Sequence, residues 1–202
     1  GVTFNKNSGN IIKACVPMHT LGLPCRIKEI SQICKKWNIV LIEDAAESLG
    51  SYLEDRHTGT FGVMGAISFN GNKIITTGGG GMIISDYEDL AKRAKHLTTT
   101  AKVSHTYEFV HDEIGYNFRM PNLNAALGCA QLEKLEWMLE QKKAVAQRYL
   151  EFFGDLGIKV LEPIVSANSN NWLNAILLNS KEERDDFLTF TNNIQLKILI
   201  LF

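Results

Sequence analysis

The chain has 202 residues, 45% of them hydrophobic, 21% charged and 9% aromatic, with 21 Lys and Arg against 22 Asp and Glu for a net charge of −1. Such values exclude collagen, an acidic disordered tail and a disulfide-rich secreted knot, and leave a globular chain of one domain or somewhat more. The near-neutral balance gives no electrostatic reason to expect nucleic acid or an anionic membrane as a partner.

The opening GVTFNKNSGN has no charged segment followed by an apolar run, so no secretory leader is expected. Residues 11–17, IIKACVP, read as a short buried strand, and HTLGLP as the loop after it. RIKEISQICKKW (26–37) spaces Ile27, Ile30, Ile33/Cys34 and Trp37 as one face of a helix, with charges opposite. IVLIED (39–44) is a β-branched apolar run ending in two acids. A helix followed by such a strand predicts one αβ unit of a sheet covered on both faces. A polar, glycine-dotted loop follows, and then AISFN (66–70) and GMIIS (81–85) as strands, with GNKIITTGGG between them.

Ser85 and Glu88 have capping-box spacing, opening a helix to about Leu97 through Leu90, Ala91 and Ala94. The stretch 98–122 is a long irregular connection, and its aromatics and the closing GYNFRMP predict an ordered functional loop. One long helix is expected from Pro121 or Asn122 to Phe153, roughly 45 Å at 1.5 Å per residue. Its apolar stripe moves from Leu123, Leu127 and Ala130 to Leu132, Leu135 and Leu139 on a shifted face, and Gly154 would end it. IKVLE and WLNAILL then read as strands and KEERDDFLTF as a helix. The expected organisation is a domain over 1–121, a linking helix over 122–153 and a smaller α+β unit over 154–202.

Cys15, Cys25, Cys34 and Cys129 form no C-x-x-C pair and no zinc spacing. They read as buried, reduced thiols, with no metal expected. No apolar run reaches the roughly 20 residues that span a bilayer. A cytoplasmic protein without membrane or nucleic-acid partners is the expectation.

Nine of the sixteen glycines fall between Gly50 and Gly81, where backbone would turn tightly or approach a ligand. Asp44 closes an apolar strand, and ligands of open α/β sheets bind outside such ends; it would otherwise cap the next helix. Lys73 follows AISFN and precedes the glycine run. It is either a nucleophilic amine near the sheet edge or a solvated loop lysine. Ser68 offers a hydroxyl beside it or is structural. Gly78–Gly81 lacks the Lys-Ser/Thr of a phosphate loop and fits a tight turn better. His19 could face a site or be structural. Together, an acid at a strand end, a serine and a lysine suit pyridoxal phosphate (PLP). Its aldehyde needs an amine, its pyridine nitrogen a carboxylate, and its phosphate hydroxyl and backbone donors.

VPMHTLGLP, IEDAAESLGS, GTFGVMGAISFNGNKIITTGGGGMI and GYNFRMPNLNAALGCAQLEKLE, in this order, resemble the DegT/DnrJ/EryC1/StrS sugar aminotransferases. The resemblance runs from about residue 11 to 153 and weakly to about 190. Its flavour is the branch acting on UDP-linked 4-keto sugars in legionaminic acid or bacillosamine synthesis. It implies an α/β chain of the aspartate-aminotransferase-like PLP fold type I. The fold would be partial: the C-terminal part of the large-domain sheet, a long linking helix and the start of a small α+β domain.

The resemblance also implies roles. Lys73 would bond the cofactor and carry protons, Asp44 would pair with the pyridine nitrogen, and Ala46 would pack on the ring. Glu47 stands where many relatives have Gln, near the phenolic oxygen. Ser68 would bind phosphate, and Asn117 would reach the cofactor of the partner subunit in a homodimer. Relatives that dehydrate sugars carry His at the Lys73 position, so transamination is implied, from an amino acid such as L-glutamate to a nucleotide-linked 4-keto sugar for bacterial surface polysaccharide. Family members are roughly twice this length, and the tail IQLKILILF leaves the pattern, so a fragment is expected. The alternative is a truncated, inactive remnant acting at most as a folding or interaction fragment.

Overall fold

The computed structural model describes residues 1–196. In chain order these form β1 (Ala14–Cys15), a short 3-10 turn (Thr20–Gly22), α1 (Ile27–Lys36), β2 (Val40–Asp44), β3 (Tyr52–Leu53), β4 (Arg56–His57), β5 (Met64–Ser68) and β6 (Gly81–Ile84). There follow α2 (Glu88–Thr98), α3 (Asn122–Leu132), α4 (Leu135–Asp155), β7 (Lys159–Val160), β8 (Ala167–Asn168), β9 (Ile176–Leu177) and α5 (Lys181–Asn193). Two compact units result: Gly1–Ala144 with Pro163–Leu173, and Val145–Glu162 with the chain from Asn174 on. The boundary lies inside α4, and 163–173 returns to the first unit, whereas the sequence suggested a domain over 1–121, a linking helix over 122–153 and a smaller unit over 154–202. No helix among the described residues is long and apolar enough to cross a membrane.

The main sheet of the first unit has the order β1-β2-β5-β6. β1, β2 and β5 run parallel, with Ile42 opposite Met64 and Asp44 opposite Ala66; β6 returns antiparallel, with Gly81 opposite Ser68. The apolar runs of β2 and β5 drive this pairing, because Leu41 and Ile67 are buried on it. One core gathers Ile27, Cys34, Leu41 and Leu53, with Cys15, Cys25 and Ile30 packed around them. Ile27, Ile30 and Cys34 are the i, i+3, i+7 stripe of α1. Ile33 and Trp37, expected on the same face, lie at its margin and are exposed. A second core joins Ala45, Ile67, Phe69 and Ile75, capped by Leu135 and Met138 of α4.

Several expectations change. All four cysteines are free, but only Cys34 is buried, and Cys129 is exposed. Cys15 and Cys25, half-buried, pack against the core that holds Cys34. The glycine-dotted loop holds a hairpin, β3–β4, whose third strand is β8 from the 163–173 return. Ser85 does not cap α2: its hydroxyl donates to the Val63 carbonyl and accepts the Tyr87 N–H, closing a turn instead. A capping arrangement occurs at α5, where Ser180 Oγ accepts the Glu183 N–H and Glu183 accepts the Asn179 N–H. The single long helix is two helices, broken at Glu133 and Lys134. The break falls where the apolar stripe changes face, since each half must present its own side to a neighbour. Gly154 lies within α4, and the following turn closes at Gly157, whose φ is +71°.

Gly65 fixes the register of β5. A Cβ there would lie 2.2 Å from the Gly59 carbonyl oxygen and 2.6 Å from Gly59 Cα. Backbone cannot yield as a side-chain tip can. Gly65→Ala is therefore expected to lower the unfolding free energy by about 2–3 kcal/mol, read as a lower urea midpoint at unchanged slope.

Candidate active site

β2 and β5 are adjacent and parallel, so their carboxyl ends, Asp44 and Ser68, open on the same edge of the sheet. Ligands of open α/β sheets bind at such edges. Lys73 is carried there by the loop 70–79, which is an excursion pinned at one residue. The Phe69 N–H donates to the Gly80 carbonyl at 3.0 Å, and the Phe69 carbonyl accepts the Thr77 N–H at 3.0 Å. Gly78 and Gly80 take φ of +81° and +89°, a backbone region that side chains other than glycine rarely occupy. The glycine run is thus the tight turn expected of it. α3 braces the loop from outside: Gln131 Oε1 accepts the Thr76 N–H at 3.1 Å, and Asn124 donates to the Thr77 carbonyl. Gly128 allows this approach, because a Cβ there would sit 2.9 Å from Thr77 Cγ2.

The Lys73 side chain is only 13% exposed. Its Nζ lies 3.6 Å from Glu47 Oε1 and 4.0 Å from the centroid of the Trp172 ring. Glu47 is itself held, its Oε2 accepting the Leu21 N–H at 2.7 Å from a residue at φ +60°. Lys73, Glu47, Ala46 and Ser68 line one recess, together with Asn170. Four of the predicted site residues therefore meet. Asp44 adjoins them through Ala46, whose N–H donates to Asp44 Oδ1 at 3.1 Å. No helix follows Asp44; its carboxylate closes a turn rather than capping one. Asn117 is exposed, bridges Thr99 through its backbone and does not line this recess.

Two site residues were missed in the sequence, and both lie in the 163–173 return. Asn170 is buried and fully engaged. Its Nδ2 donates to the carbonyls of Glu47 at 2.8 Å and Leu49 at 2.9 Å, its Oδ1 accepts the Trp172 N–H, and its N–H donates to Ser51 Oγ. Trp172 Nε1–H donates to the Asn72 carbonyl at 2.6 Å. The polar run SNN before Trp172 was the available signal, because a strand with an exposed polar face seldom carries three such residues in succession.

His19 is structural. It is completely buried, its Nε2 3.0 Å from Glu43 Oε2, and its Nδ1 accepts the Cys25 N–H at 3.2 Å. Nδ1 thus bears no hydrogen, so Nε2–H donates to a Glu43 carboxylate. Glu43 also accepts the N–H groups of Gly59 and Gly62, at 2.8 and 2.7 Å. Burial opposes its ionisation, but the His19 bond and the two backbone donors outweigh it, and its carboxyl is held below the usual range. Elsewhere His96, Asp112 and Glu113 bring ligand-type atoms together on the surface, with Arg93 paired to Glu113.

Residues 4–202 match the DegT/DnrJ/EryC1/StrS aminotransferase family model. The chain belongs to this family. GDP-perosamine synthase of Escherichia coli O157:H7 is 36% identical over 88% of the chain and 48% of its own length. Among solved structures, Helicobacter pylori PseC, described as an aminotransferase of pseudoaminic acid biosynthesis, matches with a TM-score of 0.84 and 26% identity. It is matched over 91% of this chain and 50% of its own. The aminotransferase TlmJ of Streptoalloteichus hindustanus matches with a TM-score of 0.86 and 26% identity, over 90% of this chain and 50% of its own. The chain spans about half the length of the curated relatives it matches. The family's members are PLP-dependent aminotransferases of fold type I, and the mixed α/β sheet seen here is a partial version of that fold.

The recess fits that cofactor by its donor set. It is lined by a shielded primary amine, a strand-end hydroxyl and the small Ala46, and the Asp44 carboxylate adjoins it through the Ala46 N–H.

Proposed function

We propose that this chain carries the lysine-bearing half of a PLP-dependent sugar aminotransferase. The reaction moves an amino group from an amino acid, L-glutamate by family resemblance, to a nucleotide-linked 4-keto sugar for surface polysaccharide synthesis. The observation that carries this is the Lys73 amine, shielded between Glu47 and Trp172 at the carboxyl edge of β2 and β5. The family relatives support the sugar class, since one is named for a GDP-linked amino sugar and another for pseudoaminic acid biosynthesis.

When bound, the cofactor supplies an aldehyde that accepts amines and a ring that withdraws electrons. Lys73 Nζ is the group that would hold it and, once free again, would carry the proton off the donor Cα and deliver one to the sugar carbon that gains nitrogen. The Asp44 carboxylate would keep a proton on the ring nitrogen. The Ser68 hydroxyl would donate to its phosphate, Ala46 would pack on its ring and Glu47 would stand near its phenolic oxygen. Asn117 acts from a partner subunit of a homodimer. The exposed, stacked pair Tyr116 and Phe118 that flanks it in the chain supports a second copy as its cover, since exposed apolar patches mark interfaces.

The test is to add PLP, look for a visible absorbance band, reduce with borohydride and map the attached mass. L-Glutamate and a nucleotide-linked 4-keto sugar are then supplied. A stable mass on the peptide containing Lys73, with amino sugar formed, is expected. Attachment spread evenly over exposed lysines, with no amino sugar, would favour the inactive remnant.

A further inference from the structure

We propose that Trp172 is a positioning residue for Lys73, its indole face confining the amine to the recess beside Glu47. This rests on Lys73 being the reactive amine. The ring is immobilised at its edge and along its backbone. Nε1–H donates to the Asn72 carbonyl at 2.6 Å, the backbone N–H donates to Asn170 Oδ1 at 2.9 Å, and the carbonyl accepts Lys142 Nζ at 3.1 Å. Asn72 is the residue before Lys73, so the ring is tied to the loop that carries the amine. With its one polar atom engaged at the edge, the indole offers Lys73 a face. Nζ lies 4.0 Å from the ring centroid, well within the range of a cation–π contact.

A core tryptophan meets apolar atoms on both faces; this one, 7% exposed, meets an amine in a recess also lined by Glu47, Ser68 and Asn170. The lysine side chain is a flexible four-carbon stem, and a carboxylate alone restrains it weakly. A fixed ring at 4.0 Å and an anchored carboxylate at 3.6 Å limit Nζ to a narrow volume. Such restraint is what a group that must attack one carbon and then carry protons requires.

The test uses competitive acetylation with trace acetic anhydride, reading Lys73 against exposed Lys35 by peptide mass, alongside borohydride capture of PLP. Trp172→Leu removes the ring face; Trp172→Phe keeps a face but loses the Nε1–H bond. In Trp172→Leu, Lys73 acetylation relative to Lys35 is expected to rise about fivefold and the rate of PLP capture to fall about tenfold, the scale of one shielded cation–π contact. Trp172→Phe is expected within about twofold of the parent on both readouts, because the face is kept. Equal changes in both variants would assign the effect to the Asn72 bond and overturn the proposal, as would no change in either. If Trp172→Leu does not fold, Trp172→Met takes its place. Should the parent itself fail to capture PLP at Lys73, the functional reading falls, while the acetylation comparison still decides the role of Trp172.

Discussion

Lys73→Ala is expected to abolish borohydride-stable attachment of PLP at the 70–79 loop, leaving less than about 5% of the parent yield, because no other group there can bond an aldehyde. The loop itself should survive. It is held by the Phe69 bonds to Thr77 and Gly80, by Gln131 and by Asn124, and none of these uses the lysine side chain. Glu47 keeps its Leu21 donor, and Trp172 keeps its bonds to Asn72 and Asn170. The stability cost should be about 1–2 kcal/mol, that of one ion pair at 3.6 Å together with one cation–π contact at 4.0 Å. Complete loss of attachment with only a small fall in the unfolding midpoint thus separates chemistry from folding. Lys73→Arg sharpens the result. A guanidinium keeps the charge beside Glu47 and cannot form the bond, so it should fail as completely as alanine. Undiminished attachment to the same loop in either variant would remove Lys73 from its assigned role.

The parts of this site legible in the sequence were those set by short-range pattern. A strand ending in acid, a second strand carrying a serine and a lysine shortly after it were readable as one constellation, and the structure puts them on one sheet edge because adjacent parallel strands share their carboxyl ends. What was not legible depended on distance or on a choice between neighbours. Trp172 meets Asn72 across about a hundred residues of chain, and no periodicity reports such a contact. Of the neighbouring acids Glu43 and Asp44, strand alternation sends Glu43 to the buried side with Leu41, and Asp44 to the other. That signal was present, but a carboxylate in a core is intelligible only with His19 and two backbone donors beside it. Ser85 shows the converse. Its spacing to Glu88 fits a cap, yet the Val63 carbonyl takes its hydroxyl, and tertiary competition decides. The shift of apolar face near Leu132 did announce a discontinuity, and it proved to be a break between two helices rather than a rotation of one.

Glu43→Ala should destabilise the first unit by about 3–5 kcal/mol, the scale for removing one partner of a buried ion-type network. Three donors lose their acceptor: His19 Nε2–H, Gly59 N–H and Gly62 N–H, around a carboxylate with no exposed surface. Glu43→Gln keeps the volume but replaces one acceptor oxygen by an NH2 group that must face a donor, and should cost about 2–3 kcal/mol. The dependence on pH follows from the lowered carboxyl. At acidic pH the unfolded chain takes up this proton before the folded one does. The contribution of Glu43 is therefore complete above its ordinary value of 4.5 and is lost as pH falls from there through the lower folded value. Cys25, which faces the same carboxylate, adds nothing in this window: burial, with the charge of Glu43, pushes its thiol up to about 11, so it stays neutral. Urea unfolding of the parent and of Glu43→Gln should thus differ most at neutral pH and converge on acidification below 4.5. A gap that stays constant with pH would mean that packing volume, rather than the charged acceptor, holds His19 and the two glycine donors in place.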